Sequence, residues 1–204
     1  MYRDIATRFG IPAGNIRVLK DSDATAANIV RALRGWLREG VRSDDLVMFA
    51  FSGHGTRVRD SDGDEPDGLD EALVPHDSTM RDRTSYNLVI DDQLHALLAA
   101  NPSRRLISFI DSCHSRSVAT RAVLEPNELG VTEVQARFHA WDTVPEANVL
   151  EGVELDATRS VDTTQQGYLA LSAAQDEQFS YGSAKGGIFT LSVYRQIQDM
   201  TDAG

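Results

Sequence analysis

The sequence predicts an α/β domain built on a mostly parallel central sheet with helices on both faces. Three observations carry that prediction. Leu46–Phe51 and Leu106–Ile110 are short, continuous apolar runs, the composition of strands buried on both sides in a parallel sheet. Each gives way at once to polar residues, Ser52-Gly-His-Gly-Thr56 after the first and Asp111-Ser-Cys-His-Ser115 after the second. Ahead of the first run, Ile29, Leu33, Trp36 and Leu37 fall on one face at helical spacing. At 204 residues and 41% hydrophobic, the chain reads as one domain, 1–204, with enough apolar surface for a full core.

The remaining elements follow from local chemistry. Met1 to Phe9 reads as the end of an amphipathic helix broken by Gly10-Ile-Pro-Ala-Gly14, and Asn15–Leu19 as a short strand. Asp23 or Thr25 caps the helix that carries the Ile29 stripe, and Gly40 closes it. Asp70 opens a short strand over Glu71–Pro75, and Asp91 and Asp92 start a helix carrying Leu94, Leu97 and Leu98. Residues 118–165 mix charges with prolines at 126 and 145 and have few periodic apolar positions. They are expected to form a long, partly disordered connection. Tyr168–Ser172 is then a strand, and Gly186–Thr190 opens a last helix through Leu191, Tyr194 and Ile197.

Charge and composition narrow the function. A net charge of −11 and a pI near 4.8 argue against nucleic acid, whose phosphates demand a basic surface, and suit divalent cations or basic peptides. No apolar run approaches the roughly 20 residues of a membrane span, and no signal peptide opens the chain. The single cysteine excludes an intramolecular disulfide and fits a reducing compartment, so the cytoplasm is expected. No glycine-rich nucleotide loop or internal repeat is present, and no organic cofactor is implied.

That cysteine, Cys113, stands just past the end of an apolar run, where α/β sheets place their ligand crevices. A thiol there needs a base, and His54 occupies the matching place after the other run, with Gly53 and Gly55 allowing a sharp turn and close backbone approach. Asp111, two residues before Cys113, either binds turn amides or makes a pocket negative. The stretch Asp60–Glu71 is crowded with carboxylates. Its Asp60, Asp62, Asp64 and Glu71 mimic calcium-loop spacing, but Glu65 stands where an EF-hand needs glycine, so an EF-hand is rejected. Asp60 to Glu65 reads equally well as a plain solvated loop.

Together, S-G-H-G-T at 52–56, D-G-D-E-P-D-G-L-D-E at 62–71, I-D-D-Q-L-H at 90–95 and D-S-C-H-S at 111–115 resemble the metacaspases, cysteine peptidases of the caspase fold. The match runs in order from about Ile16 to Ser117 and resumes more loosely at Gly167–Thr190. The separation of His54 from Cys113 is close to the roughly 50 residues seen in caspases. The resemblance implies an endopeptidase cutting after arginine or lysine, with Cys113 as nucleophile, His54 as its base and the Gly55 amide at the oxyanion. Asp111 and Ser52 would receive the basic side chain of a protein or peptide substrate. Asp70, Asp91 and Asp92 match three of four aspartates that bind activating calcium in some members, and the fourth position is Thr120. Arg116 replaces a usual glycine, and a central strand and acidic loop that normally precede this region are not found, as in a fragment, a processed chain or a divergent relative. Arg116, Arg121, Arg137 and Arg159 are basic positions in the stretch where such enzymes cut themselves, although exposed arginines are usually just solvated. Two other readings stay open: a catalytically inactive adaptor using the same crevice, and a calcium-binding interaction domain.

Overall fold

The computed structural model describes residues 1–113, 121–123, 129, 131, 133–141, 143–148, 168–173 and 180–202. The described helices are α1 (Tyr2–Arg8), α2 (Ala26–Arg31, continuing as a π turn over Ala32–Trp36), α3 (Asp91–Ala99) and α4 (Ile188–Asp202). None of them is long and apolar enough to cross a membrane. The strands are β1 (Leu46–Ser52), β2 (His54–Arg59), β3 (Leu69–Val74), β4 (Thr79–Arg81), β5 (Thr84–Tyr86), β6 (Val89–Ile90) and β7 (Arg105–Asp111). After these come β8 (Arg121–Val123), β9 (Glu133–Ala136), β10 (Glu146–Ala147), β11 (Tyr168–Ser172), β12 (Tyr181–Ser183) and β13 (Gly186–Gly187).

The central sheet is parallel, in the order β1-β7-β11, with Leu46 to Ser52 facing Arg105 to Asp111 and Tyr168 to Ser172 facing Leu106 to Ile110. Helices cover both faces, as the alternation along β7 requires. Leu106 and Ile110 turn toward α2 and α3 with Val47, Phe49 and Phe51, packing on Ile29, Leu33, Leu94, Leu97 and Leu98. Phe109 turns the other way, its ring centroid 5.7 Å from that of Tyr2 in α1. On that side the Tyr194 hydroxyl of α4 donates to Asp4 of α1 at 2.5 Å. An antiparallel sheet, β2-β3-β6, leaves the end of β1, and a second, β13-β12-β9-β8, approaches the same end of the parallel strands.

Three local expectations need correction or refinement. Asn15–Leu19 is not a strand: Ala13–Asn15 is a 3-10 turn, and the residues after it pair with no described strand. A strand needs a neighbour about 4.8 Å away, whereas a largely apolar groove of about 340 Å³ lies between Ile16–Leu19 and the outer edge of β1. The helix at Ile29 is capped as expected, the Thr25 hydroxyl accepting from the Asn28 amide at 3.2 Å, but it widens into a π turn before Trp36. Residues 118–165, expected as a partly disordered connection, contain β8, β9 and β10; the other residues of that range are described only in part.

This packing separates two aliphatic positions that look alike in the sequence. Leu106 is 2% exposed and Val18 is 57% exposed. Leu106→Ala should lower the unfolding free energy by about 2–5 kcal/mol, and Val18→Ala should stay within about 0.5 kcal/mol of the parent. Urea unfolding of both variants checks this; a similar loss in each would show that the 16–19 segment is packed.

Candidate active site

The neighbouring parallel strands β1 and β7 end level with each other. Ser52 faces Asp111 in the register, and the Gly53 amide donates to the Asp111 carbonyl at 3.2 Å. His54 and Cys113 each stand two residues beyond that pair, so both reach the same end of the sheet on adjacent strands. His54 opens β2, opposite Val74, and Cys113 follows β7 with no exposed surface. Gly53 lets the turn fold tightly, since a Cβ there would lie 2.7 Å from the Phe51 ring. Part of the His54 ring is open to solvent. Burial of the remainder nevertheless holds its pKa below the ordinary value, helped by the charges of His139 and Arg137 and opposed by a hydrogen bond to the Arg137 backbone. A neutral imidazole at neutral pH is the form that accepts a proton from a thiol.

Asp111 has 0% exposure and is satisfied from the C-terminal part of the chain. The Ser180 hydroxyl donates to Oδ1 at 2.9 Å, and the Thr190 amide donates to Oδ2 at 3.2 Å. The Thr190 hydroxyl also bonds Oδ2 and lies 2.9 Å from the Tyr2 hydroxyl, whose pKa burial pushes up to about 12. Arg137 Nη1 is 3.0 Å from Oδ2, a charge contact without the alignment of a hydrogen bond. Gly187 makes room for both groups: a Cβ would stand 1.8 Å from Asp111 Oδ2 and 2.1 Å from Arg137 Nη1. Ser52, grouped with this pocket on the sequence, is exposed and lines the groove beside β1.

The Arg137 backbone is held as firmly as its side chain. Its amide donates to the Ser180 carbonyl at 3.0 Å, and its carbonyl accepts from the Gly55 amide at 2.9 Å. Two residues on, the His139 amide donates to the Gly55 carbonyl at 2.8 Å, and its carbonyl accepts from the Thr56 hydroxyl at 2.8 Å. The His139 ring lies edge-on to His54 at 6.4 Å and packs on Trp141 at 4.3 Å. Of the two readings left open for Arg137, the solvated surface cation does not hold: its side chain is 15% exposed.

The acidic residues gather elsewhere, around the start of β3 and α3. Carboxylate oxygens lie within 4.8 Å of one another in three groups: Asp60, Asp64 and Asp70; Asp62, Asp64 and Asp92; Glu65, Glu71 and Asp91. The sequence-matched trio of Asp70, Asp91 and Asp92 is thus distributed over three groups, each completed by the 60–71 stretch. Asp60 braces that stretch by accepting from the amides of Gly63 (2.7 Å), Asp62 (2.9 Å) and Glu65 (3.2 Å), which lowers its pKa. Asp70 is 3% exposed, and Oδ1 of both Asp70 and Asp91 is buried without a hydrogen-bond partner among the described residues. Burial, then the charges of Asp60, Asp92, Asp62 and Asp64, push Asp70 up to about 7. Burial, then Asp92, Glu71 and Asp70, push Asp91 up to about 8. An all-oxygen set with unanswered buried oxygens fits a hard divalent cation such as calcium. Arg57, 3.0 Å from Glu71, already answers part of the third group. Thr120, the fourth position by resemblance, lies outside the described residues, as do Arg116 and Arg159.

Sequence reasoning missed the pocket's far wall. Ser180 and Thr190 carry no distinguishing pattern, Gly187 read only as the start of a helix, and Arg137 was one basic residue among four. Their roles follow from β12, β13 and α4 folding back onto β7, which no local signal encodes.

Comparison with known proteins agrees with this architecture. The family model described as "Metacaspase, peptidase C14 domain" matches residues 12–121. Metacaspase-1 of Kluyveromyces lactis is 28% identical over 92% of this chain and 49% of its own length. Metacaspase-1A of Aspergillus oryzae is 31% identical over 84% of this chain and 47% of its own. The chain thus spans about half the length of the curated relatives it matches. A Geobacter sulfurreducens protein of known crystal structure, 24% identical, superposes with a TM-score of 0.62 over 97% of this chain and 72% of its own, a likeness of fold. With more than half of its length matched by the family model and the S-G-H-G and D-S-C-H motifs in its sequence, the chain belongs to the metacaspase family of peptidase C14 domains.

Proposed function

We propose that this chain is a cysteine endopeptidase that cuts protein substrates after arginine, and after lysine less efficiently. The observation that carries the reading is the Arg137 guanidinium seated on fully buried Asp111, in a space that depends on Gly187. A planar guanidinium meets a carboxylate through more than one donor, whereas an ammonium does so as a point charge, which orders the two substrates. In the reaction, His54 draws the proton from Cys113, the thiolate adds to the scissile carbonyl, and the Gly55 and Cys113 amides hold the oxyanion. His54 then passes the proton to the leaving amine.

We further propose that calcium activates it through the carboxylates of Asp70, Asp91 and Asp92, which stand with Asp60, Asp62 and Asp64 and, for Asp91, with Glu65 and Glu71. A bound cation would supply positive charge where these groups repel one another. The chain's own part is mechanical. Asp70 lies in β3, which pairs along its whole length with β2, the strand that begins at His54 and Gly55. Fixing Asp70 therefore steadies the base and the oxyanion amide.

Two expected outcomes follow. Cys113→Ala should abolish turnover of an arginyl fluorogenic peptide, and Asp111→Asn should lower kcat/KM for that peptide by about 100-fold or more, with far less effect on a peptide bearing a neutral residue. Undiminished arginine preference in Asp111→Asn would defeat the pocket assignment. The second outcome is a pH dependence. Asp70 and Asp91 have folded pKa values near 7 and 8, above the ordinary 3.8, so the folded state holds their protons more tightly. Their contribution to stability is full below about pH 4 and is lost as the pH rises through 7 and 8. Metal-free protein should therefore melt lower at pH 8 than at pH 5, and calcium should raise the melting temperature more at pH 8. Equal calcium shifts at both pH values, or none, would remove the site.

A further inference from the structure

A chain of hydroxyl groups leads from Asp111 away from the strand ends and into α1, by way of Thr190 and Tyr2. We infer that Tyr2 is a specificity-determining residue: its hydroxyl is the outer donor of a two-step relay, Tyr2 to Thr190 to Asp111, that holds the buried carboxylate ready for a basic side chain. The inference rests on the proposed arginine-directed peptidase activity and adds to it a positioning residue that acts through Thr190.

The order of donors follows from counting protons. Thr190 is 2% exposed, and its hydroxyl bonds Asp111 Oδ2 and lies 2.9 Å from the Tyr2 hydroxyl. A hydroxyl has one proton to give and two lone pairs with which to accept, whereas an ionised carboxylate only accepts. The Thr190 proton therefore goes to Asp111, and the Tyr2 proton goes to Thr190. With its pKa pushed up to about 12 by burial, Tyr2 keeps that proton across the neutral range. Hydrogen bonds in series polarise one another, so the outer bond strengthens the inner one. The relay ends on the oxygen that meets a cation: Oδ2 also receives the Thr190 amide and faces Arg137 Nη1 at 3.0 Å, whereas Oδ1 receives the Ser180 hydroxyl.

Three contacts put Tyr2 in this place. Its ring lies 5.7 Å from that of Phe109, two residues before Asp111 and on the same face of β7. The Met1 methyl packs on Gly186, where a Cβ would stand 2.6 Å from it, so the start of α1 abuts β13 beside Gly187. Tyr194, one helical turn beyond Thr190 in α4, donates to Asp4 of α1 at 2.5 Å. A tyrosine needed only to pack α1 on α4 would have no call for Thr190, since Tyr194 and Asp4 already join the two helices. The Tyr2 bond is the one that continues to the carboxylate.

The test compares four variants of the full chain in millimolar calcium. The readout is the ratio of kcat/KM for an arginyl peptide to that for a peptide with a neutral residue in its place. Tyr2→Phe should lower this ratio by at least about 5-fold, the contribution of one hydrogen bond. The arginyl loss should fall on KM, with kcat within about twofold of the parent. Tyr194→Phe, which loosens the same helix pair without touching the relay, should keep the parent ratio. Thr190→Val should lower the ratio further than Tyr2→Phe does. Adding Tyr2→Phe to Thr190→Val should lower it no more, because the outer donor reaches Asp111 only through the inner one. Thermal melts should show every variant folded, and the two tyrosine variants decide the inference alone if Thr190→Val does not fold. An unchanged ratio in Tyr2→Phe, equal losses in the two tyrosine variants, losses that multiply in the double variant, or an unfolded Tyr2→Phe would each overturn the inference and leave the arginine-directed reading intact. A parent that turns over neither peptide, or shows no preference for the arginyl one, would defeat both.

Discussion

A carboxylate with no exposed surface at the end of a parallel strand has to be answered from inside the protein. Desolvating an ionised carboxyl costs several kcal/mol unless nearby donors replace the lost water. Asp111 is placed in this position by the register of β7 against β1, and everything packed around it serves as the answer: the hydroxyl of Ser180, the amide and hydroxyl of Thr190, and the guanidinium of Arg137. These partners stand just before β12, in α4 and just after β9, so one charge ties three segments distant in sequence to the sheet. The same demand explains why Gly187 carries no side chain.

The acidic groups on the other flank are under the opposite constraint. Asp60, Asp62, Asp64, Asp70 and Asp92 crowd together with little cationic relief, and part of the net charge of −11 is thereby concentrated in one place. Asp60 is stabilised as an anion by turn amides, whereas Asp64, hydrogen-bonded to Asp62, is raised to about 6. One chain therefore holds two carboxylate environments, one satisfied internally and one left with unanswered oxygens.

How much of this was legible in the sequence depended on the range of the interaction involved. The strands ending at Ser52 and Asp111 are announced by local apolar runs, and the turn at His54 by its two glycines, because strand burial and turn geometry act over a few residues. The helices at Ile29, Asp91 and Ile188 were readable for the same reason. Asn15–Leu19 misled because a strand requires a neighbour at bonding distance, and apolar alternation says nothing about one. Arg137 could not be told from Arg121 or Arg159, since a guanidinium becomes a pocket residue only when a carboxylate distant in sequence is brought to meet it. Asp60 to Glu65 remained ambiguous because a solvated loop and a folded acidic cluster share one composition.

The covalent attachment of Arg137 to the sheet it occupies has a kinetic meaning. A ligand joined by a short chain is present at an effective concentration in the millimolar range. A free peptide at micromolar concentration competes with that at a disadvantage of about a thousandfold, even if its intrinsic affinity is the same. Any outside cation drawn to Asp111 therefore has first to displace the protein's own guanidinium, and weak ligands are refused before shape is compared.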